Sequence, residues 1–188
     1  MLVLRDLEMK YDFSEMKMLH FAPEYFLTKY FKDKVKSYET ADLLMAGVDH
    51  QVDMTDLPFD DDTYSFVFAS HVLEHIKDDV KALREIARIL KPGGIAILHV
   101  PIVSYKTIEY QEPNPYETYH IRAPGLDYID KYKQCFQSVI EFNSKDYDGC
   151  YQVTVHENRT NFPNKYAPLR PSMAGNKFDD IVTFCINY

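Results

Sequence analysis

Two periods of hydrophobic and polar positions alternate along the chain. Residues 16–21, "MKMLHF", form a short apolar run of strand length. Ala22-Pro23-Glu24 then turns the chain into an aromatic-rich segment that predicts a helix to about Phe31, packed through Tyr25, Phe26, Tyr30 and Phe31. "KVKSYETADL" sets Val35, Ser37 and Glu39 against Lys36, Tyr38 and Thr40, a period of two that predicts a strand ending near Asp42. "HQVDM" reads as a third short strand before the turn-like "TDLPFDDDTY". "YSFVFAS" is continuously apolar and suits the centre of a parallel sheet.

The clearest helical signal is "DDVKALREIARILKPGG". Val80, Leu83, Ala87 and Leu90 share one stripe, widened by Ile86. Asp78 and Asp79 at its start, with Arg84, Arg88 and Lys91 toward its end, complement the helix dipole, and Pro92-Gly93-Gly94 stops it. "IAILHV" follows as another buried strand. Residues 101–124 hold four prolines and four tyrosines (Tyr105, Tyr110, Tyr116, Tyr119) without a sustained period, which predicts a long ordered loop or lid. "GLDYIDKYKQCF" recovers a helical pattern. "SVIEF", "YQVTVH" and "IVTFCINY" read as strands, the last two separated by a polar, Pro-rich excursion near 157–177. The alternation predicts one α/β domain over residues 1–188, its sheet mostly parallel with helices on both faces.

Composition narrows the function classes. With 21 basic and 29 acidic residues the net charge is -8, so a nucleic-acid partner is not expected. Cys135, Cys150 and Cys185 are scattered and form no CxxC pair, so no metal ligand is assigned and a reducing, cytoplasmic setting is expected. The first residues are too charged for a signal peptide, and no apolar run reaches membrane-spanning length, so no membrane insertion is expected. The chain has 15 Tyr and 12 Phe but only 6 Gly. The aromatic excess serves mainly to fill the core.

In an open α/β sheet the ligand lies beyond the carboxyl ends of the strands. Four such ends can be named: Phe21-Ala22-Pro23-Glu24, Asp42, Asp53-Met54 and Ser70-His71. Acids at two consecutive ends suit a nucleoside, one accepting from ribose hydroxyls and the other from the exocyclic amine of adenine. Either Asp alone is equally at home as a turn or cap residue.

Residues 52–102, through "SHVLEHI" and "REIARILKPGG" in order and spacing, resemble the central block of class I S-adenosylmethionine-dependent methyltransferases. The nearest group is type 11, related to quinone-biosynthesis methyltransferases. The resemblance implies a Rossmann-like fold with a seven-stranded, mostly parallel sheet whose last strand, near Ile181–Ile186, is antiparallel. It also implies S-adenosyl-L-methionine as cofactor and methyl transfer to a small-molecule or glycan-like acceptor. The first loop departs from the family: in "LHFAPE", His20 takes the place of an acid, while Ala22 and Glu24 take glycine places. Some relatives carry a similar LHxAPE, and "YHIRAPGLDY" (His120, Arg122, Gly125, Asp127) resembles their second shared feature.

Carried onto this chain, the donor set is Phe21, Ala22, Pro23, Glu24, Asp42, Asp53, Met54, Ser70 and His71, with Glu24 offering a carboxylate to the donor's amino group. His71, His75 and His120 are the candidate general bases. Their alternatives are, in turn, a donor contact or core hydrogen bond, a helix-start residue, and a loop anchor. Tyr105, Tyr116, His120 and Arg122 are expected to form one acceptor wall beside His71. The alternative for Arg122 is a structural pair with Glu117 or Asp127. Glu74 is read as an anchor for the helix start or a backbone amide, and Asp60-Asp61-Asp62 as a solvated turn. Two other classes stay open: a methyltransferase-like binding or scaffold protein that has lost donor binding with its glycines, and a nicotinamide dehydrogenase. The latter does not predict "HVLEH" followed by "RILKPGG". A homo-oligomer, with a second subunit covering the acceptor, is a further expectation left open.

Overall fold

The computed structural model describes residues 2–148 and 180–188. In chain order the elements are α1 (Leu2–Glu8), β1 (Lys17–Phe21), α2 (Tyr25–Lys32), β2 (Ser37–Asp42), β3 (His50–Gln51), β4 (Tyr64–Ser70), α3 (Asp79–Ile89), β5 (Leu90–His99), β6 (Ile108–Asn114), β7 (His120–Ala123), α4 (Ile129–Lys133), β8 (Ser138–Asn143) and β9 (Ile181–Ile186). Seven strands form one sheet in the order β3-β2-β1-β4-β5-β9-β8. Pairing is parallel from β3 through β5, and β9 runs antiparallel to both β5 and β8. This is the Rossmann-like arrangement expected, with "IAILHV" well inside the sheet. The expected strand "YQVTVH", the excursion near 157–177 and Cys150 lie outside the described residues.

The continuous apolar run of β4 explains its central place, because both faces are buried. Val67 and Ala69 join Leu83 and Ile86 of α3 in one core. Phe66 and Phe68 join Phe31, Met18 and Phe184 in the core on the other face, where Leu4 and Leu7 of α1 also pack. Each fully buried Leu or Phe contributes about 1.5–3 kcal/mol relative to exposure. On α2 only Phe31 is buried, whereas Tyr25 and Phe26 are 74% and 82% exposed. Lying five and six residues before Phe31, they project roughly 120–140° around the helix from it and cannot share its face.

The buried face of α3 is Ala82, Leu83, Ile86 and Ile89, with Val80 and Ala87 at its margins. The Asp78 side chain caps its start, accepting from the Lys81 amide at 3.0 Å. At its end the Asn187 side-chain amide donates to the carbonyls of Ala87 (2.9 Å) and Leu90 (2.7 Å), covering groups that a helix leaves unpaired. Gly93, at φ +73°, makes a left-handed bend within the first residues of β5.

Residues 101–124, expected as a long ordered loop or lid, contain two strands. β6 and β7 pair antiparallel as a separate two-stranded ribbon, closed by a 3-10 turn at Pro115–Glu117. Their register shifts between Glu109 and Asn114, and that irregularity erases the period-two signal from the sequence. Gly125 anchors the ribbon's base, where an added Cβ would stand 2.3 Å from the Lys106 carbonyl carbon. Among the described residues no helix is long and apolar enough to cross a membrane.

Candidate functional site

At the carboxyl ends of β1, β2 and β4 the surface opens into a cleft of about 390 Å³. Seven of the expected site residues line it: Phe21, Ala22, Asp42, Asp53, Met54, His71 and His75. Between them stand Leu43, Leu44, Val52, Val72 and Ile76, which the sequence reading missed. Their signal was available, since all are apolar and adjoin a strand end or the residues after it.

The two aspartates are turn residues and cleft residues at once. Asp42 Oδ1 accepts from the amides of Leu44 and Met45, both at 2.7 Å. Asp53 Oδ1 accepts from the amide and hydroxyl of Thr55, both at 2.8 Å. The Thr55 amide, then its hydroxyl, lowers the pKa of Asp53. In each case the second oxygen is left without an intramolecular hydrogen bond among the described residues.

Ala22 and His71 close the ends of β1 and β4 with φ of +47° and +56°. The left-handed region costs a non-glycine residue about 1–2 kcal/mol. The corner therefore keeps a glycine-type backbone without the glycine.

Three expected donor contacts lie outside the cleft lining. Pro23 only leads into α2. Glu24 is turned toward β1, its Oε2 lying 2.9 Å from Nε2 of the fully buried His20. His20 Nδ1 lies 2.7 Å from the Tyr38 hydroxyl, which donates onward to Thr28. Burial, the largest effect, pushes the Glu24 pKa up, but the His20 hydrogen bond, a backbone hydrogen bond and the charges of His20 and His71 together bring the net shift downward. Ser70 turns toward β5, its hydroxyl 3.4 Å from His99 Nδ1, while His99 Nε2 meets Asp180 Oδ1 at 2.8 Å. This row was invisible in the sequence because its members sit on three elements.

The candidate bases gather around Glu74, in a 3-10 turn at Leu73–His75. His71 Nδ1 lies 3.3 Å from Glu74 Oε1, and His120 Nε2 lies 3.8 Å from the same atom. The rings of His75 and His120 meet edge to face, their centroids 4.7 Å apart. Glu74 is fully buried, yet neither of its oxygens is in hydrogen-bonding geometry with any group of the described protein. It therefore does not anchor a backbone amide, as the sequence had suggested. The interaction with Glu74 raises the His71 pKa against the opposing effect of burial. Burial lowers that of His120, and Glu74 offsets this only in part.

Arg122 does not belong to an acceptor wall. It is 2% exposed, and its Nη1 donates to the carbonyls of Leu73 (2.8 Å) and Ile76 (2.6 Å). Its Nη2 donates to the carbonyl of Lys77 (3.1 Å), and its Nε to both carboxylate oxygens of Glu109 (3.0 Å). Asp79, 3.4 Å away, completes the charge balance. The structural alternative holds with different partners from those expected. Asp127 accepts from Thr107, and Glu117 accepts from the Tyr110 hydroxyl. Tyr105 and Tyr116 are 62% and 50% exposed, whereas the guanidinium is buried.

Residues 24–98 match the family model described as a methyltransferase domain. The chain is 49% identical over 47 residues to the demethylmenaquinone methyltransferase of Staphylococcus carnosus, a match covering 25% of this chain and 20% of that protein. It is 37% identical over 70 residues to the sterol 4-C-methyltransferase strm-1 of Caenorhabditis elegans, covering 36% of this chain and 20% of that one. The chain thus spans about a fifth of the length of these curated relatives. In three dimensions it is similar to the S-adenosylmethionine-dependent methyltransferase from Mesorhizobium loti, with a TM-score of 0.62 at 11% identity over 99% of this chain and 96% of that one. That likeness establishes the fold.

Proposed function

We propose that this chain is an S-adenosylmethionine-dependent methyltransferase acting on a small-molecule or glycan-like acceptor. The observation that carries the reading is the cleft at the ends of β1, β2 and β4, lined by Asp42, Asp53 and Met54 within the segment that matches the family model. Its residues fit an adenosine. Two carboxylates each keep an oxygen for a ligand donor, and the apolar side chains between them suit a flat ring. S-adenosylmethionine supplies, when bound, an electrophilic methyl group on a sulfonium leaving group.

The protein's task is then largely alignment. Asp42 takes the ribose hydroxyls and Asp53 the adenine amine. The left-handed Ala22 keeps the backbone clear at the end of β1. Where the acceptor carries a proton to lose, His71, which lines the cleft, takes it.

Isothermal titration against S-adenosylmethionine, S-adenosylhomocysteine and NAD tests the reading. Saturable binding of the first two and none of NAD supports it. Binding of NAD alone would move the chain to the dehydrogenases, and binding of none would make it a scaffold. A screen of quinone, sterol and sugar acceptors with donor-loaded protein then identifies the acceptor.

A further inference from the structure

We propose that Glu74, His75 and His120 form a binding site for a divalent transition-metal ion of the zinc class, opening on the cleft. One ligand atom from each lies within 4.8 Å of the other two. Four-coordinate zinc, with bonds of about 2.0–2.2 Å, sets its ligand atoms roughly 3.3 Å apart, so modest side-chain rotations close the set. Two imidazoles and one carboxylate are a common donor set for such ions.

A second observation points to a missing partner. The Glu74 carboxylate is fully buried and, among the described residues, has no hydrogen bond to either oxygen. An ionised carboxylate left so would cost several kcal/mol, and a cation removes that cost. His71 and His120, 3.3 and 3.8 Å away, offset part of that charge as ion-pair partners, but neither stands in hydrogen-bond geometry to the carboxylate.

The surroundings hold the set rigid. Glu74 and His75 lie on the 3-10 turn whose carbonyls at Leu73 and Ile76 receive the Arg122 guanidinium. His120 lies two residues before Arg122 on β7. One buried side chain therefore fixes both ligand-bearing segments, the kind of support that metal ligands require. His75 itself lines the cleft, so positions on the ion beyond the three protein ligands face that space. An ion there would bind an oxygen-bearing acceptor and lower the pKa of its hydroxyl. Metal binding itself does not rest on the methyl-transfer reading.

The test uses the whole chain after chelator treatment, without donor. Zn²⁺ uptake is measured by titration calorimetry, and Co²⁺ substitution is followed by its visible absorption. One ion per chain is expected, with Co²⁺ bands that mark nitrogen and oxygen ligation. Glu74→Gln, His75→Asn and His120→Asn should each abolish saturable uptake, with circular dichroism confirming the fold. His71→Asn, removing a neighbour of the carboxylate, should weaken uptake about tenfold. His50→Asn, on the far strand β3, should leave it unchanged. No saturable uptake, or uptake surviving in all three ligand variants, overturns the site. If Glu74→Gln fails to fold, the two histidine variants decide alone. Donor binding is read separately, so the two proposals fail independently.

Discussion

The two sides of the cleft are built by opposite means. On the side of β1, β2 and β3 the wall follows the chain: each strand end delivers its own residues, and the loops after β2 and β3 are each closed by their own aspartate. On the side of the ribbon, Glu74, His75 and His120 come from separate segments and are brought together through Arg122. The first wall is a backbone device spread over many short-range bonds. The second depends on one buried side chain, so it should fail all at once.

The strongest way to break that contrast is Arg122→Met. Removing the guanidinium leaves Asp79 short of a buried partner and takes a donor from the carbonyls of Leu73, Ile76 and Lys77, and about 3–5 kcal/mol of stability should be lost. Urea unfolding checks this, and a loss under about 1 kcal/mol would mean that the ribbon is not held as described.

On the other wall the expected effects are on binding, not folding. Asp42→Asn and Asp53→Asn keep a turn-capping oxygen but lose the charge, and each should weaken S-adenosylmethionine binding by about 1–3 kcal/mol at an unchanged melting temperature. The alanine versions lose the cap as well and should lower both. Equal affinity in both asparagine variants would remove the two carboxylates from the donor site.

Ala22→Gly is smaller. Relieving a left-handed alanine should stabilise the fold by up to about 1 kcal/mol, after the extra freedom of glycine in the unfolded chain is deducted. A thermal melt that falls instead would show that the alanine methyl is needed for packing.

The smallest effect concerns Glu39, below the cleft. Burial raises its pKa, but hydrogen bonds from the Tyr64 hydroxyl, Lys17 and His50 lower it further, and the net shift is downward. A carboxylate whose folded pKa is depressed contributes stability that is present above its unfolded value, about 4.3, and lost as pH falls through the folded value. Glu39→Gln should therefore flatten the acid limb of a stability-against-pH curve below about pH 5 and leave its alkaline limb alone.

What was legible follows the same division. Continuous apolar runs announced β4 and β5, and the strand-end rule led to Asp42, Asp53 and His71, because each of those signals lies within a few neighbouring residues. The Glu74 cluster and the His99–Asp180 pair, whose members are 81 positions apart, depend on how segments meet in space. Arg122 shows the limit most clearly. Its charge and its place beside His120 suggested an acceptor contact, and only the carbonyls of a distant turn reveal its use. Tyr25 and Phe26 mark the opposite error, since aromatic character was taken for burial that the helix period forbids. The α1 helix shows helical spacing only in Val3, Leu4 and Leu7, within seven residues, too short a stretch to establish a period.

The position of β9 has a consequence for how the chain is made. Ile186 pairs with Ile95, so the neighbour of β5 is a strand synthesised roughly 80 residues after it. At about 5–20 residues per second, translation of that stretch takes about 4–16 s. During this interval β1 to β5 are available to assemble, while the far edge of β5 offers open amides and carbonyls along an apolar strand. A nascent chain with such an edge invites pairing with other polypeptides. Its demand for chaperones is therefore set by those seconds of exposure, and slowing translation after His99 should raise aggregation more than slowing it before Tyr64.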